Sequence, residues 1–164
     1  MNASVKVWTD GGCSPNPGIG GWSFVTDTGV GACGYDPDTT NNRMEILAVL
    51  SALEDERFAD SPLAVVSDSS YVINALTKGW LRGWQRRGWQ RKDGVLKNAD
   101  LWQRMAAALI GRDLSFEWTR GHAGDQMNEA ADRLTHHARA TRITHQAFHI
   151  ADLRTAGVPA LASL

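Results

Sequence analysis

The most constraining feature of this 164-residue sequence is the stretch over residues 5–12, where apolar side chains recur at about every second position and Asp10 precedes two glycines. A period of two is typical of a half-buried β-strand, and paired glycines allow the backbone to turn sharply. The pattern therefore predicts a strand that ends at Asp10. Because Asp-Gly is also an ordinary turn dipeptide, a functional role for Asp10 requires other carboxylates at the same end of the sheet.

The N-terminal third predicts a three-stranded antiparallel meander. Residues 11–21 are rich in Gly and Pro and predict a turn region, followed by strands over residues 22–26 and 30–35 with a tight turn between them. Polar residues 36–42 predict a loop, and Asn41 or a neighbour is suited to cap a helix over about residues 43–58.

Strands and helices alternate after this meander. Predicted strands cover residues 63–68, which are nearly continuously apolar, and residues 114–119. Helices are predicted over residues 69–77, 99–110 and 126–139, the second capped by Asn98 and stopped by Gly111. The predicted fold class is α/β, with a mixed sheet of five strands, three antiparallel and two parallel, and helices packed against it. Residues 1–140 are expected to form one domain and residues 141–164 a tail of unknown role.

Charge is unevenly distributed along the chain. Residues 78–97 contain seven Lys or Arg and one Asp, for a local charge of +6, whereas the remainder carries −7. Such a basic block predicts a surface that binds a polyanion, although a solvated charged face is the ordinary explanation of a charge run.

Composition excludes several other classes of protein. No apolar run approaches the roughly 20 residues of a membrane helix, and residues 1–4 lead into the first strand without a signal-peptide pattern. A cytoplasmic location and reduced thiols at Cys13 and Cys33 are therefore expected, although the two could be neighbours. Two cysteines without clustered histidines predict no zinc site.

Four acidic residues are candidates for a single site. Asp10 and Asp68 follow predicted strands, and ligand sites of open α/β sheets lie at the carboxyl ends of strands. Glu45, early in a predicted helix, and Asp132, in the last one, could each face the same place. Clustered carboxylates raise one another's pKa unless a cation neutralises them. Their hard oxygen ligands favour Mg²⁺ or Mn²⁺, and two such ions roughly 4 Å apart can activate water and stabilise a leaving oxygen at a phosphodiester.

Several short motifs, weak individually, are specific in this order. They are Thr9-Asp10-Gly11, Asn16-Pro17-Gly18, Asn41-Asn42-Arg43-Met44-Glu45, Ser67-Asp68-Ser69, the segment 80–89, Lys97-Asn98, Asp100-Leu101-Trp102, Gly121-His122-Ala123-Gly124, Asn128-Glu129 and Asp132. From residue 5 to about residue 140, the chain resembles bacterial ribonuclease H of type 1. The resemblance implies a ribonuclease H-like fold and hydrolysis of the RNA strand of RNA/DNA hybrids, leaving 5′-phosphate and 3′-hydroxyl ends.

The resemblance also implies roles for individual residues. Asp10 would be shared by two Mg²⁺ ions, Asp132 would lie on the side of the attacking water, and Glu45 and Asp68 on the side of the leaving 3′-oxygen. His122, between two glycines, would assist proton movement or product departure from a mobile loop. An exposed loop histidine without a role is the ordinary alternative for that position.

Substrate contacts follow from the same resemblance. Asn16, Asn41 and Asn42 would contact the minor groove of the hybrid, where 2′-hydroxyls donate and accept as amides do, although Asn41 and Asn42 could also be only turn and cap residues. The basic segment would bind the DNA strand, its tryptophans packing on deoxyribose and its cations on phosphates. The substrate-binding residues expected in all are Cys13, Asn16, Asn41, Asn42, Arg43, Ser70, Trp80, Trp84, Arg86, Arg87, Trp89, Arg91, Lys92 and Lys97.

Two departures from the family pattern affect these contacts. Ser70 stands where Gln is common, which predicts a shorter or water-mediated contact, and the loop over residues 92–97 is slightly shorter than usual. Two other functions remain open from the sequence. One is a non-catalytic hybrid-binding protein, disfavoured because concentrated negative charge does not help a binder of phosphates. The other is another nuclease of the same superfold, such as a reverse-transcriptase domain or an integrase-like enzyme. The partner expected is the hybrid itself, with no membrane and no obligate protein partner, and the chain is expected to be a monomer.

Overall fold

The computed structural model describes residues 3–121 and 125–155, and a six-stranded mixed sheet forms its centre. Its strands, in sheet order, are β7 (Leu114–Trp118), β4 (Leu63–Ser67), β1 (Val5–Cys13), β2 (Gly18–Thr26), β3 (Val30–Thr39) and β8 (Gln146–His149). β4 is parallel to both β1 and β7, and the remaining neighbours are antiparallel. β5 (Gln90–Arg91) and β6 (Gly94–Val95) form a separate hairpin. The helices are α1 (Asn41–Glu54), α2 (Ser70–Thr77), α3 (Trp80–Arg86), α4 (Ala99–Leu109), α5 (Gln126–Thr141) and α6 (Ile150–Thr155), with a 3₁₀ turn at Glu56–Phe58.

Two hydrophobic cores cover opposite faces of this sheet. Val7 of β1 contributes to the core under α1, which also includes residues of α2, α3 and α4. Trp8, the next residue, contributes to the core under α5. Because successive side chains of a strand point to opposite faces, the residues that follow in β1 are also divided between the two sides, and Asp10 shares the α5 side with Trp8.

The prediction that the first strand ends at Asp10 is wrong. β1 continues to Cys13, and most of the Gly-rich region from residue 11 to residue 21 is strand, with Gly11 paired to Trp22. Glycine is needed at position 11 because a Cβ there would lie 2.3 Å from the carbonyl carbon of Met44 in α1. A glycine that permits close helix-to-strand packing has the same sequence signature as a turn glycine.

Helix positions agree with the predictions, whereas two details of their ends differ. α1 begins at Asn41 because Thr40 is its N-cap and accepts from the backbone N–H of Arg43, and it ends at Glu54 rather than near residue 58. α4 begins directly after Asn98, as predicted, but Asn98 has φ of 62° and makes no side-chain cap. Its amide donates instead to the hydroxyl of Tyr71, at 3.2 Å.

The tail contributes a sixth strand, so the prediction of five strands was one short. β8 pairs antiparallel with β3, and Phe148 and Ile150 are buried in the core under α5. Arg57 ties the two strands together by donating to the carbonyls of Phe148 at 3.2 Å and Gly31 at 2.9 Å. The tail is therefore part of the folded body at least as far as α6.

Replacing Phe148 by Ala is expected to lower the free energy of unfolding by about 3 kcal/mol, the usual result of removing a buried aromatic ring. Urea unfolding measured by circular dichroism checks this value. The matched control is His149→Ala, because His149 is the next residue of β8 and is exposed. Equal midpoints for the two variants would show that the tail adds nothing to stability.

The cysteines and the helices bear on the predictions about protein class. Cys13 and Cys33 are free thiols. No helix within residues 3–121 and 125–155 is both long and apolar enough to cross a bilayer.

Candidate active site

Three of the four predicted carboxylates converge at one edge of the sheet. The parallel pairing of β1 with β4 ends at Thr9 and Ser67, so Asp10 and Asp68 are the next residues of two adjacent strands. Glu45 reaches the same place from the second turn of α1. One carboxylate oxygen from each of Asp10, Glu45 and Asp68 lies within 4.8 Å of the other two. We refer to these three residues as the carboxylate cluster.

Backbone and hydroxyl donors fix the orientation of Glu45. The N–H of Gly11 donates to Glu45 Oε1 at 2.7 Å, and Ser67 Oγ donates to Oε2 at 3.4 Å. This contact is possible because Gly11 lacks a side chain and α1 lies directly against β1. Glu45 is consequently a buried carboxylate, with 7% of its surface exposed.

Asp132 lies beside the carboxylate cluster rather than within it. It projects from α5, keeps 33% of its side chain exposed, and has His136 Nε2 3.7 Å from its Oδ1. It is nevertheless near enough for its negative charge to raise the pKa of Asp10. The fourth predicted carboxylate therefore faces the cluster from the neighbouring helix.

Burial and mutual repulsion keep protons on this site when no cation is bound. Burial raises the pKa of Asp10 to about 7, against a hydrogen bond from Thr135 that lowers it, and the charges of Asp68 and Asp132 raise it further. Burial also raises the pKa of Glu45 well above its ordinary range, followed by repulsion from Asp10 and Asp68. At neutral pH a cation is needed to hold both carboxylates ionised.

The donor set fits a hard divalent cation. Octahedral Mg²⁺ binds oxygens at about 2.0–2.1 Å, so two opposite ligands lie about 4.2 Å apart. Neighbouring ligands lie about 2.9 Å apart. The oxygens of the carboxylate cluster, all within 4.8 Å of one another, therefore surround one position for a cation. It includes no thiol or imidazole among the described residues, which disfavours a softer metal.

Three residues predicted to contact substrate form one hydrogen-bonded group next to the cluster. The backbone N–H of Cys13 donates to Asn41 Oδ1 at 2.7 Å, and that of Asn41 donates to Asn16 Oδ1 at 3.2 Å. The Cys13 thiol also donates to Asn16 Oδ1, at 3.3 Å. Because backbone N–H groups require an oxygen, the NH₂ groups of these two exposed amides are the atoms left for a ligand. The surface here therefore offers hydrogen-bond donors.

The basic segment forms a protrusion on the α1 side of the sheet, made of α3 and the β5–β6 hairpin. Its cations are exposed, namely Arg86, Arg87, Arg91 and Lys92, and Lys97 follows as another exposed cation. Trp80 and Trp84 share one face of α3, as predicted, with ring centroids 6.4 Å apart. Of the three tryptophans, Trp80 is the exposed one, with 40% of its surface accessible, because Trp84 and Trp89 pack against the core under α1.

The remaining predicted site residues have varied surroundings. Arg43 donates to both carboxylate oxygens of Asp100, at 2.9 and 2.8 Å, so its charge is already neutralised within the protein. Asn42 and Ser70 are exposed at the starts of α1 and α2. His122 lies outside the described residues.

Supporting residues around the cluster were not predicted from the sequence. Thr135 contacts the carbonyl of Asp10 at 3.4 Å and the hydroxyl of Ser23 at 3.0 Å, which ties α5 to β1 and β2. A helical spacing of three from Asp132 is the signal that could have identified Thr135. Gly121 also approaches the site closely, since a Cβ there would lie 3.0 Å from Asp68 Oδ2.

Comparison with known proteins agrees with this geometry. Residues 2–140 match the sequence model of the RNase H family. The chain belongs to the ribonuclease H family. The ribonuclease H of Granulibacter bethesdensis is 46% identical over 141 residues, which cover 82% of this chain and 91% of that protein. Ribonuclease HI of Caulobacter vibrioides is 43% identical over 140 residues, with coverage of 82% and 91%.

A solved structure supports the fold independently. LC9-RNase H1, described as a type 1 RNase H with the type 2 active-site motif, superimposes with a TM-score of 0.78 at 27% identity, over 94% of this chain and 84% of that one. The resemblance and the fold inferred from the motifs are thus confirmed, apart from the extra strand. As a ribonuclease H, the chain is a nuclease, and ribonucleases H in general depend on divalent metal ions.

Proposed function

We propose that this ribonuclease H cuts the RNA strand of RNA/DNA hybrids endonucleolytically with two divalent ions, leaving 5′-phosphate and 3′-hydroxyl ends. Mg²⁺ is the ion proposed, and Mn²⁺ is the alternative. The observation that carries the proposal is the approach of the Asp10, Glu45 and Asp68 oxygens to within 4.8 Å of one another. A site of this charge would repel a phosphodiester unless cations lay between them.

The four carboxylates have different proposed roles in holding the two ions. Asp10 is close to Glu45 and Asp68 and is also affected by the charge of Asp132, so it is the ligand proposed to be shared. Glu45 and Asp68 would help to hold one ion and Asp132 the other. A pair of ions roughly 4 Å apart supplies an activated water and stabilises the leaving oxygen. The N–H of Gly11 and the hydroxyl of Ser67 hold Glu45 in place before substrate arrives. This preorganisation removes a reorientation step from the reaction.

The hydrogen-bond donors of Asn16 and Asn41, next to the carboxylate cluster, would allow the protein to bind hybrids of any sequence. Every base pair presents acceptors in the minor groove, and RNA adds 2′-hydroxyls that also accept. Outward NH₂ groups of Asn16 and Asn41 therefore match any hybrid sequence. We propose that the exposed cations of the protrusion contact phosphates of the DNA strand, on the other side of the hybrid's minor groove.

Replacing Asn41 by Asp is expected to weaken hybrid binding roughly tenfold or more, about the value of one hydrogen bond to a charged group. One carboxylate oxygen can still accept from the N–H of Cys13, so the fold is retained. The other replaces the NH₂ group with a negatively charged oxygen, which cannot donate to the acceptors of the hybrid's minor groove. Fluorescence anisotropy with labelled hybrid in EDTA measures the affinity. Gln103→Glu, on the exposed side of α4, controls for added negative charge. Equal affinities of the two variants would reject the donor role of Asn41.

The substrate assignment is tested by comparing three end-labelled duplexes of one sequence, RNA/DNA hybrid, duplex RNA and duplex DNA, in Mg²⁺. Only the RNA strand of the hybrid is expected to be cut, at internal positions. Cleavage of duplex DNA would support the integrase-like alternative, and binding of hybrid without cleavage in either Mg²⁺ or Mn²⁺ would support a non-catalytic binder. A role for His122, action as a monomer and a cytoplasmic location stay predictions.

A further inference from the structure

Arg139 lies on the face of α5 that turns toward the site. Asp132, Thr135 and Arg139 are spaced by three and then four residues, so they share one side of the helix. Thr135 contacts the carbonyl of Asp10. The stem of Arg139 packs on Gly21 of β2, where an added Cβ would lie 2.8 Å from Arg139 Cγ. Packing therefore fixes this side chain beside the site.

No described residue neutralises Arg139. Some arginines of the fold have carboxylate partners, as Arg43 has Asp100 and Arg104 has Glu54. The Nε of Arg139, in contrast, is buried without a hydrogen-bond partner among the described residues. A buried donor left unpaired is unfavourable by about 1–3 kcal/mol. A guanidinium without a carboxylate partner, beside the surface proposed to bind the hybrid, is suited to bind a phosphate.

The position of the guanidinium is further defined by Cys13. Gly21 pairs with Gly12, the residue before Cys13. Burial raises the pKa of the Cys13 thiol, and the positive charge of Arg139 opposes this, as a nearby cation does. Because Cys13 belongs to the hydrogen-bonded group with Asn16 and Asn41, Arg139 lies near that group, on the α5 side.

Arg139 projects from α5, whereas the basic protrusion packs against the α1 side of the sheet. The two backbones of a hybrid lie on either side of its minor groove. A hybrid whose DNA strand binds the protrusion therefore presents its RNA strand toward α5. Seven residues of α-helix span about 10 Å, which sets Arg139 close to Asp132 but clear of the carboxylate cluster.

We propose that Arg139 binds a phosphate of the RNA strand near the cut and fixes that strand across the carboxylates. The inference rests on the proposed function.

The test compares Arg139→Gln with the unmodified chain for binding of RNA/DNA hybrid in EDTA over a range of salt concentrations. Loss of one phosphate contact is expected to weaken binding roughly five- to tenfold at low salt. It should also reduce the slope of log affinity against log salt by about 0.7–0.9. Arg139→Lys should restore most of the slope because it keeps a charge at the same place.

Arg133→Gln is the matched control, since Arg133 is on the same helix, is about 41% exposed and pairs with Glu129 at 3.6 Å. Urea unfolding of each variant separates binding from folding, because a merely structural Arg139 would change stability and leave the salt slope unaltered. The same slope for Arg139→Gln, Arg133→Gln and the unmodified chain would overturn the inference. If the unmodified chain still cut hybrid in Mg²⁺, that result would leave the proposed function intact.

Strand assignment is tested with hybrids in which single phosphates flanking the cut are replaced by uncharged methylphosphonates. With the contacted RNA phosphate neutral, Arg139→Gln should weaken binding no further. Loss of the Arg139 effect only on neutralising DNA phosphates would overturn the assignment to the RNA strand.

Discussion

Asp10→Asn is expected to reduce the rate of hybrid cleavage at least about a thousandfold, which corresponds to more than about 4 kcal/mol of transition-state stabilisation. The amide has the shape of the carboxyl group but cannot supply the negative charge that a divalent ion requires. Asp10 is 6% exposed, and its carboxylate is one of the three whose oxygens lie within 4.8 Å of one another, so the substitution removes a negative charge from the cluster itself. Single-turnover cleavage of labelled hybrid in Mg²⁺ measures the loss.

Binding separates this effect from damage to the fold. Affinity for hybrid in EDTA should be unchanged or tighter, because the substitution removes a negative charge facing phosphates. Asp38→Asn, at an exposed position of β3, should cleave at the rate of the unmodified chain. Cleavage by Asp10→Asn within tenfold of that rate would rule out Asp10 as the central metal ligand.

Without divalent ions, the stability of the protein should fall as pH rises from about 4 to about 7. Burial raises the pKa of Asp10 from 3.8 to about 7, so in this window the folded chain binds a proton that the unfolded chain has released. Stability decreases with pH wherever the folded state binds more protons. A tenfold change in proton affinity is worth about 1.4 kcal/mol, so the total loss is on the order of 4 kcal/mol. Glu45, whose pKa is also raised by burial, should add to it.

Urea unfolding in EDTA at a series of pH values measures this loss, and repeating the series with Mg²⁺ tests its cause. Mg²⁺ should restore stability above pH 7 and have little effect below pH 5, because only ionised carboxylates bind it. Asp10→Asn should show a shallower pH dependence and a weaker response to Mg²⁺. Stability that rises between pH 4 and 7 in EDTA would show that the cluster does not retain protons.

The order of β1 to β4, α1, α2, α4, β7 and α5 could be predicted from the sequence, because the spacing of apolar residues in helices and strands is a local signal. The sixth strand could not. β8 contains one buried apolar residue, Phe148, which is too few to give a strand pattern. The residues around it also do not show that β3 has an unpaired edge. The extent of β1 was missed for a related reason, since the need for glycine at position 11 arises from α1, which is distant in the chain.

At the site, the chemical type of each group could be predicted but its orientation could not. The sequence indicates four acidic residues, while only the fold shows that Asp132 faces the other three from α5. Likewise Trp84 has the sequence context of a binding residue, yet its ring lies 5.3 Å from that of Trp102 and is partly buried in the core. Such distinctions depend on which neighbours pack against a side chain, and those neighbours lie far away in sequence.

The position of the bound ion is the most direct measurement of the central claim. Anomalous diffraction from crystals soaked in Mn²⁺ should show a peak among Asp10, Glu45 and Asp68, within coordination distance of an Asp10 oxygen. An absence of any peak there, at an Mn²⁺ concentration that supports hybrid cleavage in solution, would contradict the account.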